Sequence, residues 1–130
     1  MEILQLNHIS KVYGEKVQFS ALKDINLRIE KGEFVGIMGP SGSGKTTLLN
    51  VISTIDRPTS GEVLINGENP YRLDNAELAL FRRRKLGFVF QDFNLIDTLT
   101  IGENIVLPLT LDGQKVSTMD RKLKEIAARL

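Results

Sequence analysis

The chain has 130 residues, 42% of them apolar and 25% charged, with a net charge of +1 and no cysteine. That is the make-up of one soluble globular domain, or part of one, and it excludes disulfides, thiolate chemistry and a bulk electrostatic pull toward nucleic acid or membrane. No apolar stretch approaches the ~18 residues of a membrane span, and Glu2 and Asn7 stand where a signal peptide would carry an apolar run.

Taken in chain order, Ile3, Leu6 and Ile9 to Tyr13 predict a first strand. Leu22 to Ile29 alternates apolar and polar residues, which predicts a half-buried second strand. Lys31-Gly32 turns the chain into the apolar run Phe34–Met38, expected to be a buried strand. Gly39 to Thr46 then reads Gly-Pro-Ser-Gly-Ser-Gly-Lys-Thr, matching G-x-x-x-x-G-K-[ST] at every fixed position. Phosphate chemistry demands this composition. Gly39, Gly42 and Gly44 let the backbone curl so that its N–H groups, with those beside Ser41 and Ser43, surround an anionic chain. Lys45 supplies a mobile cation, the Thr46 hydroxyl a ligand for Mg²⁺, and Thr47 continues the helix start whose partly positive end faces the phosphates. A strand before the octet and a helix after it are the context the motif requires. The bland alternative, a glycine-rich linker that happens to contain Lys-Thr, lacks both.

The helix from Lys45 should end near Ser53, and Asp56 to Gly61 is a loop. Glu62 to Asn66 predicts a short strand with Val63 and Ile65 inward, followed by an Asn66-Gly67 hairpin turn. Asp74 with Glu77 forms a capping box that opens a helix to about Lys85. Leu86 to Gln91 reads as a second buried strand. Thr100 with Glu103 opens another helix, expected to stop at Pro108, and Ser117 with Asp120 opens a last one, still helical in pattern at Leu130. His8, the sole histidine, has no acidic or cysteine cluster beside it in sequence and is expected to be a surface or strand residue. Arg82 to Lys85 are expected to complement a helix C-terminus rather than bind nucleic acid.

The octet, Tyr13 upstream of it, Gln91 in Phe-Val-Phe-Gln-Asp-Phe-Asn-Leu, Gly32-Glu33 and Pro58-Thr59-Ser60-Gly61 together resemble the ATP-binding subunits of ABC transporters. The resemblance covers essentially the whole chain, 1–130. It implies an α/β P-loop NTPase fold: a partial ABC ATPase core, with an N-terminal antiparallel β subdomain and an incomplete sheet. It implies that Tyr13 stacks on adenine, that Gly39, Ser41, Gly42, Ser43, Gly44, Lys45, Thr46 and Thr47 hold the phosphates of ATP, and that Gln91 helps ligate Mg²⁺ and orient the attacking water. Arg82 to Gln91 and Thr98 to Leu109 are most similar to the exporter branch of lipoprotein release, macrolide efflux and bacitracin-type resistance. The implied partners are a transmembrane permease subunit and a second ATP-binding subunit, at the cytoplasmic face of the cell membrane. Leu99, Ile101, Ile105 and Val106 are candidates for a surface that receives a partner helix.

The sequence also departs from that family. Leu-Ser-Gly-Gly-Gln, an apolar run ending in Asp-Glu, and a later histidine do not occur. The expectation is therefore the N-terminal half of such a subunit, without its catalytic carboxylate, poorly soluble or partly molten by itself. The competing expectation is a non-catalytic nucleotide- or partner-binding module. A GTPase is disfavoured because Asn-Lys-x-Asp is missing, and a kinase because Arg82–Arg84 alone make no lid.

Overall fold

The computed structural model describes residues 1–129, which form two compact units, Met1–Leu86 and Gly87 onward. In the first, strand β1 (Glu2–Tyr13) lies between β2 (Phe19–Glu30) and β3 (Ser60–Ile65) in an antiparallel sheet of order β2-β1-β3. Helix α1 (Lys45–Ile52) lies between β2 and β3 in sequence, and a single 3₁₀ turn (Pro70–Arg72) and α2 (Asn75–Lys85) follow β3.

The sheet's register follows its apolar residues. Leu4 pairs with Ile29 and Ile65, Leu6 with Leu27 and Val63, and Ile9 with Ile25. Leu4, Leu6 and Ile9 are all buried, although simple alternation would turn Ile9 outward. Register shifts on either side of Ile9 resolve this. His8 and Asp24 adopt φ values of 53° and 50° there. Side chains stand in for ladder bonds: the His8 N–H donates to Asn26 Oδ1 at 2.9 Å and the Asp24 N–H to Ser10 Oγ at 3.1 Å. His8 is thus an exposed strand residue, its Nδ1 2.7 Å from Asp24 Oδ1. Gly61 meets the same bulge from β3; at φ 94°, a Cβ there would collide with the His8 carbonyl oxygen.

Val51 of α1 and Phe81 of α2 complete the core with Leu22, Val63 and Ile65. Asn66 and Gly67 have φ of 51° and 79°, the two left-handed residues of a tight hairpin turn, and Ile65 and Glu68 bond across it. The α2 capping box is complete: the Glu77 N–H donates to Asp74 Oδ1 at 2.8 Å and the Asp74 N–H to Glu77 Oε2 at 3.1 Å.

Two expected strands do not form. Residues 33–40 and 86–90 carry no ladder, and Phe34, Met38 and Val89 are almost fully exposed. A buried parallel strand is held by neighbours on both edges and layers on both faces; among the described residues no strand pairs with either run. The rings of Phe88 and Phe90 instead stack on each other, 5.8 Å apart.

The second unit contains an α3–α4 hairpin, α3 being Ile101–Leu111 and α4 Val116–Ala127. Thr100 and Glu103 form the expected capping box. Pro108 does not stop α3. Proline removes one N–H but its φ is helical, and the Asp112 N–H still bonds the Pro108 carbonyl at 3.1 Å. Ser117 and Asp120 do not cap α4 either; the N-cap is Lys115, without a side-chain bond. Asp120 pairs instead with Lys124 one turn on, at 2.8 Å, as Arg121 does with Glu125 at 2.7 Å. Helix α4 ends at Ala127, and Leu130 lies outside the described residues.

No residue of this second unit is fully buried among those described, and Ile101 and Val116 are largely exposed. Local stability follows buried apolar contact. Amide hydrogen exchange should therefore be slowest in Leu4–Ile9 and Val63–Ile65, and faster by orders of magnitude throughout α3 and α4. Equal protection in both units would contradict this ranking.

Candidate functional site

The octet forms a loop from Gly39 to Gly44, and its last two residues, Lys45 and Thr46, open α1. Ser43 closes a turn on the Pro40 carbonyl at 3.2 Å, and Gly44 is the helix N-cap at φ 93°. A Cβ at Gly44 would stand 2.7 Å from the Ala21 carbonyl oxygen of β2, so glycine sets how closely loop and sheet approach. With glycine as the cap, no side chain bonds the N–H groups of the first turn, contributed by Lys45, Thr46 and Thr47, and that turn holds no acidic residue. Lys45 curls back over the loop. Its ammonium donates to the carbonyls of Gly39 and Pro40, both at 2.7 Å, and to Ser43 Oγ at 3.3 Å.

These residues border a cleft of about 510 Å³. Ser41, Gly42, Gly44, Lys45, Thr46 and Thr47 form one side, and Phe19 and Ala21 of β2 the other. Among the described residues the lining holds one cation and no carboxylate, beside a helix N-terminus. That combination favours an anion with several oxygens. Magnesium carried by phosphates takes only one or two protein oxygens and fills its other positions with phosphate and water. The exposed Thr46 hydroxyl in this lining fits such a role. No group of three or more His, Cys, Asp or Glu among the described residues could hold a metal without that help.

Tyr13 ends β1, opposite Phe19 in the ladder and beside the Thr47 hydroxyl. Its phenol donates to Asp56 Oδ2 at 2.6 Å, and the Lys11 ammonium lies 4.8 Å above its ring. That hydrogen bond, with burial, pushes the Tyr13 phenol above its usual value, while Thr47 pulls the other way. Burial alone would raise the Asp56 carboxyl. Hydrogen bonds from Lys11 and Tyr13, with the ammonium's charge, outweigh it and hold the carboxyl below the ordinary range. Neither Lys11 nor Asp56 stood out in the sequence, because the pair spans 45 residues. Gln91 lies in the second unit, on an exposed bend.

A glycine-closed loop feeding a helix, with one lysine over a cleft otherwise uncharged among the described residues, is an arrangement that suits a phosphate-type anion, on a mixed α/β frame. The family model described as "ABC transporter" matches residues 22–130, and the chain belongs to that family. It is 65% identical over 128 residues to the ABC transporter ATP-binding protein YxdL of Bacillus subtilis, covering 98% of this chain and 50% of that protein. It is 51% identical to the bacitracin export ATP-binding protein BceA of Halalkalibacterium halodurans, over 100% of this chain and 52% of that one. Among solved structures, it superposes at TM-score 0.86 and 45% identity on the dimeric, post-hydrolysis ATP-binding cassette MJ0796 of Methanocaldococcus jannaschii bound to ADP and Pi. That match covers 94% of this chain and 54% of the other. The chain thus spans about half the length of the relatives it matches. No helix among the described residues is long and apolar enough to cross a membrane.

Proposed function

We propose that the chain binds ATP with Mg²⁺ as part of the nucleotide-binding subunit that powers an ABC exporter. The observation that carries the reading is the cleft beside Gly39–Thr46, with Lys45 its one cation, in a chain of this family. Gly42, Gly44 and the first turn of α1 present N–H groups to the phosphate chain. Lys45 transfers its bonds from the Gly39 and Pro40 carbonyls to the terminal phosphates, and Ser41 and Ser43 add hydroxyl donors. Tyr13 meets the adenine with its ring. Thr46 would hold Mg²⁺, which neutralises phosphate charge when bound.

Phosphoryl transfer to water needs a positioned base as well as a charged cradle. Among the described residues no carboxylate lines this cleft, and little or no turnover by the chain alone is the expected result. A dimer with a second ATP-binding subunit, seated on a permease at the cytoplasmic face of the membrane, is the assembly we propose. The dimeric state of the MJ0796 cassette supports it. Likeness to BceA, named for bacitracin export, supports an antimicrobial-peptide cargo.

Titration calorimetry of the purified protein with ATP, and a phosphate-release assay on the same sample, test this. Saturable, Mg²⁺-strengthened binding with negligible release is expected. Failure of both ATP and inorganic tripolyphosphate to bind would overturn the reading, and rapid release would overturn the absence of turnover.

A further inference from the structure

Asp56 ties the end of β1 to the end of α1. Its two carboxylate oxygens are both used: Oδ1 accepts from Lys11 Nζ at 2.7 Å and Oδ2 from the Tyr13 phenol at 2.6 Å. Its backbone is fixed as firmly. The Asp56 N–H donates to the Asn50 carbonyl at 3.1 Å, and its own carbonyl lies 2.6 Å from the Tyr71 hydroxyl, which also reaches the Val51 carbonyl at 2.5 Å. Val51 is fully buried. Bonded links therefore run from the core, through α1 and Asp56, to the Tyr13 ring, which does not itself line the cleft but adjoins two residues that do, Phe19 and Thr47. Lys11 reinforces them: it also donates to the Arg57 carbonyl at 2.7 Å and covers one face of the Tyr13 ring.

We propose that Asp56 is a positioning residue for nucleotide recognition, holding Tyr13 by its hydroxyl so that the ring face away from Lys11 is presented to the base. A tyrosine tethered at its hydroxyl and covered on one face has little rotational freedom left to lose on binding, and preorganisation of that kind appears as affinity. Among the described residues no hydrogen bond joins Asp56 to the lining of the cleft, but the Tyr13 phenol it holds lies beside Thr47 of that lining, so its contribution falls mainly, not wholly, on the base. This inference rests on the reading that the cleft takes an adenine nucleotide.

The test compares affinities for ATP and for inorganic tripolyphosphate in the wild type, Tyr13→Phe, Asp56→Asn and Tyr13→Ala. Tyr13→Phe keeps the ring and removes only the tethering hydroxyl. It should weaken ATP by roughly three- to tenfold, the size of one lost hydrogen bond, and tripolyphosphate by clearly less. Asp56→Asn should show the same split, and the double variant Tyr13→Phe/Asp56→Asn should be no weaker than the worse single one. Should Tyr13→Phe bind ATP like the wild type while Tyr13→Ala loses affinity, the ring acts without its tether and the positioning role is wrong, with the cleft reading intact. Unchanged ATP affinity in Tyr13→Ala overturns the inference as well. If the wild type binds tripolyphosphate no better than a Lys45→Ala control, the cleft reading itself fails.

Discussion

Gly44→Ala is expected to damage both the fold and the site. Gly44 sits at φ 93°, a conformation that costs an L side chain roughly 1–3 kcal/mol. The added methyl would also stand 2.7 Å from the Ala21 carbonyl oxygen and 3.3 Å from Leu22 Cδ2. The first neighbour is β2 backbone rather than the end of a flexible side chain, at a register shift near the start of that strand, so either the loop with α1 or this end of the strand must give way. Movement of the loop displaces the N–H groups of Lys45 and Thr46. Thermal melts should show a clear loss of stability, and ATP affinity should fall at least tenfold. Gly42→Ala is the control. Gly42 has φ 79°, but nothing lies within 4 Å of its Cβ position, so that variant meets the conformational cost alone and should be the milder of the two. Equal effects would mean that contact between loop and sheet is unimportant.

Leu6→Ala should be the most destabilising truncation in the sheet. Leu6 is 1% exposed, on the central strand, between Leu27 and Val63. Removing a buried leucine side chain costs about 2–5 kcal/mol, the lost transfer energy plus the cavity. Total stability of a small domain is only about 5–15 kcal/mol, and the buried apolar cluster here comprises eight residues. Urea denaturation should find Leu6→Ala largely unfolded under conditions where the parent is folded. Leu49→Ala, at a half-exposed position on α1, should change stability by less than about 0.5 kcal/mol. Similar midpoints for the two would place the core elsewhere.

What the sequence disclosed was what local chemistry controls. The Asp74–Glu77 and Thr100–Glu103 boxes depend on atoms three residues apart and formed as read. Asn66-Gly67 needs only two left-handed residues, and the octet carries its own glycines and lysine. What it concealed depends on distant partners. The apolar runs at 34–38 and 86–90 have strand composition, yet a strand exists only with a neighbour, and no described strand pairs with them. The bulges that keep Ile9 inward answer to β2 rather than to the β1 sequence. Pro108 was read by its rule in isolation, whereas the helix continues past one missing bond. At the site, the loop and helix start that line the cleft were legible from the octet, but the Lys11–Asp56–Tyr13 cluster joins residues too far apart to signal each other.

Nucleotide binding here requires Lys45 to reach from its own loop to a phosphate chain. A charge-assisted bond of this kind contributes about 1.5–3 kcal/mol, so Lys45→Ala should weaken ATP about 10- to 100-fold in calorimetric titration, with circular dichroism matching the parent. Undiminished affinity in a folded Lys45→Ala sample would contradict that requirement.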